Sequence, residues 1–251
     1  VYLSGNYAST VDWDPGPGVF NRNSPRNTNS AWGNGYVLKL DRNGNFQWVY
    51  ELKAKEGMYV GGVDVSPEGK VVVAGYFSGT LAFDKPGGVN PIAAPVPNSA
   101  FLHVINTEGE GQWANYFEGS TLSLGRSCVQ FAPSQAISLF SSTKGTSDYD
   151  PGPGVHSVTG AAVILRLDSM GNFEWTNVMQ GGVGWGNDIW PFTFTHTSEG
   201  GVWATGWYIG TVSAEVNGKT LSYQSETILN SNIYLWKINP QGENSVFTHL
   251  P

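Results

Sequence analysis

The chain has 251 residues and a formal net charge of −7, and only 13% of its residues are charged, against about 25% in an average soluble domain. Phosphate binding needs clustered Lys and Arg, which the sequence lacks, so we expect no nucleic-acid or anionic-membrane partner. It also lacks an apolar stretch of membrane-spanning length, so we expect no membrane insertion. The abundance of Gly, Pro and aromatic residues indicates many short strands and tight turns. The single cysteine, Cys128, lies in an apolar run that predicts a buried, inert thiol.

The first predicted element recurs four times along the chain. VYLSGNYASTVDWD (1–14), VVVAGYFSGTLAFD (71–84), ISLFSSTKGTSDYD (137–150) and VWATGWYIGTVSAE (202–215) align without gaps, and all four segments end in an acidic residue. Repeats of this length are typical of solenoids, propellers or arrays.

A second recurring element follows each of these segments. It reads YVLKLDRNGNFQWVYEL at 36–52 and returns at 101–117, 163–179 and 234–250. Each copy predicts a hairpin, and Asn43-Gly44 in the first copy favours a type I′ turn. Trp48, Trp113 and Trp175 share one position, which predicts residues that pack between neighbouring repeats.

A third element, such as VDVSPEGK at 63–70, precedes the second, third and fourth copies. Each repeat therefore predicts four antiparallel strands, and the fold prediction is an all-β propeller of four blades in a single domain. The predicted repeats are approximately 1–60, 61–127, 128–190 and 191–251. The first blade lacks its innermost strand, so we expect a segment of a larger propeller, or a propeller completed by a partner chain.

These repeats resemble those of bacterial β-propeller proteins that are secreted or attached to the cell surface, the SBBP-like group. The resemblance rests on GYFSGT, on DWDPGPG and DYDPGPG, and on LKLDRNGNFQW and LRLDSMGNFEW. The match is weak in the fourth repeat, where AEVNGKT replaces the DPGPG segment. The resemblance implies an extracellular propeller and no particular catalytic activity.

The two DPGPG segments carry paired aspartates, Asp12 with Asp14 and Asp148 with Asp150. One interpretation is that these carboxylates accept backbone N–H bonds and so build the turn. The alternative is a Ca²⁺ site, in which two carboxylates on one strand face combine with free carbonyl oxygens of the loop. The Asp41–Asn45 run resembles a calcium loop but is better interpreted as a hairpin turn.

Aromatic residues in the loops predict a second kind of site. Trp32 lies in an Asn/Ser-rich insertion, and Trp185, Asp188 and Trp190 lie together in GGVGWGNDIWPF. A tryptophan platform with polar side chains at its edge is what a sugar site requires. The same residues are alternatively plugs between blades.

No catalytic constellation is found in the sequence. The four histidines are far apart, and none of the common hydrolase, metalloprotease or nucleotide-binding motifs occurs. The leading prediction is a non-enzymatic binding or scaffold module that meets a protein or a glycan at the cell surface. The alternatives are a carbohydrate-binding propeller and a polysaccharide hydrolase or lyase.

Overall fold

The computed structural model describes residues 1–24, 33–84, 89–94, 96–117, 122–181, 188–226 and 231–250. These residues form antiparallel sheets and no helix, which confirms the predicted all-β class. Accordingly, this part of the chain contains no helix that could cross a membrane. The chain divides into two compact units, unit 1 (Val1–Glu118) and unit 2 (Gly119–Pro251).

Unit 1 contains two main sheets and one small sheet. Its strands are β1 (Tyr2–Tyr7), β2 (Ser9–Asp12), β3 (Asn21–Ser24), β4 (Asn34–Leu40), β5 (Phe46–Ala54), β6 (Met58–Val65), β7 (Val71–Phe77), β8 (Thr80–Phe83), β9 (Ile92–Ala93), β10 (Ser99–Ile105) and β11 (Gly111–Phe117). Sheet I has the order β1-β4-β5-β8-β9, sheet II has the order β11-β10-β7-β6, and β2 pairs with β3 in the small sheet.

Unit 2 contains two sheets. Its strands are β12 (Leu122–Phe131), β13 (Ile137–Asp148), β14 (Ser157–Leu167), β15 (Phe173–Gly181), β16 (Asp188–His196), β17 (Val202–Ile209), β18 (Thr211–Val216), β19 (Lys219–Gln224), β20 (Asn232–Ile238) and β21 (Asn244–Leu250). Sheet III has the order β12-β13-β14-β15-β18-β19, and sheet IV has the order β16-β17-β20-β21. Each predicted repeat boundary falls inside the strand that comes first in the sequence of its sheet. These strands are β6, β12 and β16.

Within each unit, side chains from the two main sheets share one buried apolar cluster. In unit 1 the cluster includes Val37, Tyr50, Leu52, Val73 and Phe101. In unit 2 it includes Phe140, Ile164, Met179, Phe194 and Trp236. The alternation of side chains along each strand directs one set of residues into this cluster and the other set to the opposite face of the sheet.

Two hairpins leave their own repeat and extend the neighbouring sheet. The β8–β9 hairpin lies between β7 and β10 in the chain, but β8 pairs with β5 of sheet I through Leu52↔Phe83 and Ala54↔Leu81. In the same way, β18 lies between two strands of sheet IV and pairs with β15 of sheet III. The ends of the first recurring element, at 80–83 and 211–215, therefore tie one sheet to the next by backbone hydrogen bonds.

The hairpin loop at Asn43-Gly44 is not the predicted type I′ turn. Gly44 has a φ of 86°, whereas Asn43 does not have a positive φ, and a type I′ turn needs positive φ at both positions. The N–H of Asp41 donates to the carbonyl oxygen of Asn45, so the loop has three residues, one more than a type I′ hairpin. Only the glycine needs the left-handed conformation, and it recurs with positive φ as Gly109, Gly171 and Gly242.

The side chain of Asp41 builds this loop. Its Oδ1 accepts the backbone N–H groups of Asn43 (2.8 Å) and Asn45 (2.9 Å). Hydrogen bonds from the side chain and the backbone of Asn45 hold the pKa of the Asp41 carboxyl below its usual value. The geometry supports the interpretation of this run as a hairpin turn.

Candidate ligand-binding sites

The two DPGPG segments form hairpin loops with the same hydrogen bonds. Asp12 Oδ1 accepts the N–H groups of Asp14 (3.1 Å) and Phe20 (2.8 Å), and Asp14 Oδ1 accepts the N–H of Gly16 (2.8 Å). In the second loop, Asp148 and Asp150 make the corresponding three bonds at the same distances. Backbone N–H groups are therefore the partners of one oxygen of each carboxylate.

The aspartates of each pair do not lie on one strand face. Strand β2 ends at Asp12 and strand β13 ends at Asp148, so the second aspartate of each pair belongs to the loop. Among the described residues, no group of three or more His, Cys, Asp or Glu side chains is placed to hold a metal ion. The hydrogen bonds support the turn interpretation, and Ca²⁺ binding at Asp12/Asp14 and Asp148/Asp150 stays a prediction.

The last glycine of each DPGPG segment is needed because a Cβ would overlap a neighbouring side chain, and not because its φ is positive. Neither Gly18 nor Gly154 has a positive φ. However, a Cβ added at Gly154 would overlap Oδ2 of Asp150, and one at Gly18 would overlap Oδ2 of Asp14. The loop therefore closes tightly around the carboxylate of its second aspartate.

We expect Gly154→Ala to lower the free energy of unfolding by about 1 kcal/mol, because the Asp150 carboxylate must move and lose its bond to the N–H of Gly152. Gly152→Ala is the matched control, since its added Cβ meets nothing closer than 3.1 Å. Thermal unfolding of both variants measures the difference. Equal melting temperatures would contradict the tight fit at Gly154.

His103 and His196 are packed side chains, and the four histidines do not form a cluster. His103 is fully buried between the rings of Tyr50 and Phe83, and this burial lowers the pKa of its imidazole to about 4. Burial, together with the nearby positive charge of Arg166, also lowers the pKa of His196 to about 4. Cys128 is likewise buried, and burial raises the pKa of its thiol to about 12, as expected for an inert thiol.

Two of the four residues predicted to bind a ligand can be placed. Trp32 and Trp185 lie outside the described residues. Asp188 and Trp190 lie two residues apart on β16, so their side chains share one face of sheet IV. The Trp190 ring stacks on Trp207 of β17, with ring centroids 3.7 Å apart and an interplanar angle of 13°.

These residues belong to a larger aromatic surface, which we call the outer face of sheet IV. It is the face opposite the buried cluster of unit 2, and its apolar members include Trp190, Trp203, Trp207, Ile209, Ile233, Leu235, Val246 and Leu250. Trp203, Ile233 and Leu250 have exposed fractions of 36%, 48% and 51%. Lys237 lies over the ring of Trp203, with Nζ 5.2 Å from the ring centroid.

A polar cleft of about 410 Å³ is the second site of unit 2. Its walls come from β15, from the β18–β19 hairpin and from the β20–β21 hairpin. The lining residues are Asn177, Glu215, Asn217, Gly218, Glu243 and Asn244. Sequence analysis did not identify this cleft, because its residues come from three segments that meet only in the folded unit.

The cleft is open because a small residue stands where unit 1 has a tyrosine. Tyr50 and Asn177 occupy the same position in the aligned repeats. In unit 1 the Tyr50 ring is fully buried, and a Cβ added at Gly111 would meet the Tyr50 hydroxyl at 2.7 Å. Replacing that ring by the shorter Asn177 side chain leaves space in unit 2. The other two copies have Asn115 and Thr248 at this position, so Tyr50 is the residue that departs and no sequence signal sets Asn177 apart.

The wall side chains of the cleft are held by hydrogen bonds. Asn177 Nδ2 donates to the carbonyl oxygen of Gly242 (2.6 Å). Asn244 Nδ2 donates to the carbonyl oxygen of Glu215 (2.7 Å), and Asn244 Oδ1 accepts the indole N–H of Trp236 (2.6 Å). These bonds fix the two amides without a ligand, so the cleft is preformed.

Comparison with known proteins identifies no family. No family model matches the chain, and no curated protein matches it. A crystal structure of a protein of unknown function from Bacteroides caccae aligns with 88% of this chain and 92% of its own, at 11% sequence identity and a TM-score of 0.27. A likeness at this TM-score carries no argument about fold or function.

Proposed function

We propose that the protein is a non-enzymatic binding and scaffold protein of the bacterial cell exterior, built from propeller-type repeats. In this proposal it holds protein partners on the outer face of sheet IV. The observation that carries the proposal is the exposure of Trp203, Ile233 and Leu250 on a sheet whose other face is fully packed. Large exposed apolar patches mark interaction sites, and tryptophan is enriched among the residues that contribute most to binding.

The partner that fits best is another sheet of the same repeat type. The equivalent face of sheet II carries Val72, Ala74, Leu102 and Val104, whose exposed fractions are only 0 to 3%. Within each unit, moreover, two such sheets pack through their apolar faces. The apolar faces of these sheets are therefore complementary to one another. A second copy of the chain can supply the face that packs on sheet IV.

The size of the face sets the expected affinity. Four strands about 4.8 Å apart and about seven residues long cover roughly 450 Å². Two such faces bury about 900 Å² together, which is small for a stable complex. We therefore expect weak, reversible association.

Sedimentation velocity over a range of protein concentrations tests the proposal. We expect reversible self-association that Trp203→Ser weakens about tenfold, because the exchange removes an exposed indole from the face. Val155→Ser is the matched control, since Val155 is 78% exposed and lies in the second DPGPG hairpin loop. A chain that stays monomeric at every concentration, or a Trp203→Ser variant that associates as strongly as the parent, would contradict the proposal.

A further inference from the structure

We propose that the cleft of unit 2 binds a neutral saccharide through Asn177, Glu215 and Glu243. This proposal is independent of the outer face of sheet IV, since it concerns a small ligand at a different place. The cleft volume of about 410 Å³ lies within the range of small-molecule sites, which is about 300–1,000 Å³.

The first argument is the chemistry of the carboxylates. Glu243 Oε2 accepts the side-chain amide of Asn239 (2.9 Å), and Glu215 Oε1 accepts the hydroxyl of Thr220. These bonds orient both carboxylates, and the second oxygen of each accepts no side-chain hydrogen bond from the residues that the structure describes. Such oxygens accept hydrogen bonds only, so the matching ligand must present donors.

The second argument is Asn177, which lies at the position that Tyr50 fills with a buried ring in unit 1. Its Nδ2 is bonded to Gly242, while its Oδ1 is buried and makes no hydrogen bond within the described part of the chain. An unsatisfied buried carbonyl costs about 1–3 kcal/mol. The aligned Tyr50 shows that the repeat can fill this space with a ring. A buried polar group of this kind requires an explanation, and a ligand in the adjoining cleft supplies one.

The third argument selects a hydroxylated ligand over a metal ion. Calcium requires six to eight oxygen ligands at 2.3–2.6 Å. The cleft supplies two carboxylates in a space far larger than one ion, and no metal-holding group of three is found among the described residues. Sugar hydroxyls both donate and accept, which suits a lining that combines carboxylates with carboxamides. Trp175 packs against Gly242 beside the cleft and provides an apolar surface.

A glycan array of neutral oligosaccharides, probed with the fluorescently labelled protein, tests the proposal. We expect the parent to bind at least one class of glycan, and calorimetry with that glycan to give an affinity that Asn177→Tyr lowers at least tenfold. This substitution introduces the ring that Tyr50 supplies in unit 1. Asn177→Tyr combined with Asn244→Gly copies unit 1 at both positions, since Gly111 is the residue beside Tyr50 there. Gln180→Tyr is the matched control, because it adds the same ring three residues away on the exposed side of β15 and should leave binding unchanged.

Four outcomes would overturn the proposal. The first is that no neutral glycan binds above background, and the second is that Asn177→Tyr binds as tightly as the parent. A third is binding that disappears with a chelator, which would assign the cleft to a cation. The fourth is cleavage of the bound glycan, which would assign the cleft to an enzyme. Melting temperatures of these variants within a few degrees of the parent establish that each is folded.

Discussion

Trp236→Ala is expected to lower the free energy of unfolding by about 3–5 kcal/mol, the largest effect of any single substitution considered for this protein. The Trp236 side chain is fully buried in the apolar cluster between sheets III and IV. Its removal leaves a cavity and also deprives Asn244 Oδ1 of the indole N–H that it accepts. Urea unfolding followed by far-UV circular dichroism measures the loss.

Trp203→Ala is the control for this prediction. Trp203 lies on the same sheet but on its outer face, where 36% of the residue is exposed. Truncation there leaves no closed cavity, so we expect a loss of about 1 kcal/mol or less. If both tryptophan variants lost the same stability, the assignment of inner and outer faces to sheet IV would be wrong.

Gly206→Ala is expected to cost about 3 kcal/mol, the second largest effect. Gly206 does not have a positive φ, so backbone strain is not the reason. A Cβ at this position would overlap the carbonyl oxygen of Trp190 and the hydroxyl of Tyr234. The backbone of β16 shifts register next to this contact, between Pro191 and Thr193, and cannot withdraw without losing its pairing with β17.

Gly218→Ala separates this steric effect from the ordinary cost of replacing a glycine. Gly218 has a φ of 74°, and a Cβ there would meet nothing within 4 Å. We expect about 1 kcal/mol, which is the cost of a left-handed conformation for alanine. Urea unfolding of the two variants side by side gives the comparison, and a Gly218 variant less stable than the Gly206 variant would refute the close-contact argument.

The two proposed sites arise from different substitutions at corresponding positions of the repeated sheets. The outer face of sheet IV is a position that sheet II fills with small buried side chains, and here it carries Trp203 and Lys237. The cleft lies where β15 of unit 2 has Asn177 and β5 of unit 1 has Tyr50. Both proposed sites therefore lie where corresponding sheets carry different side chains on the same packed framework.

The sequence by itself determined the all-β class, the recurring strands and the places where they turn. Period-two apolar patterns and β-branched runs such as Val71–Val73 are local signals, since each strand requires only that alternate residues face a core. Gly44 and its equivalents mark turns for an equally local reason, the need for positive φ.

Only the tertiary structure decided which sheet each hairpin extends and where space remains. Pairing of β8 with β5, and of β18 with β15, joins segments that no local pattern relates. The need for glycine at 154 and 206 comes from atoms of other residues that approach it in space. The cleft likewise exists only because three segments meet around a missing ring. Contacts between distant segments depend on register and packing, which the alternation of apolar residues along a strand does not specify.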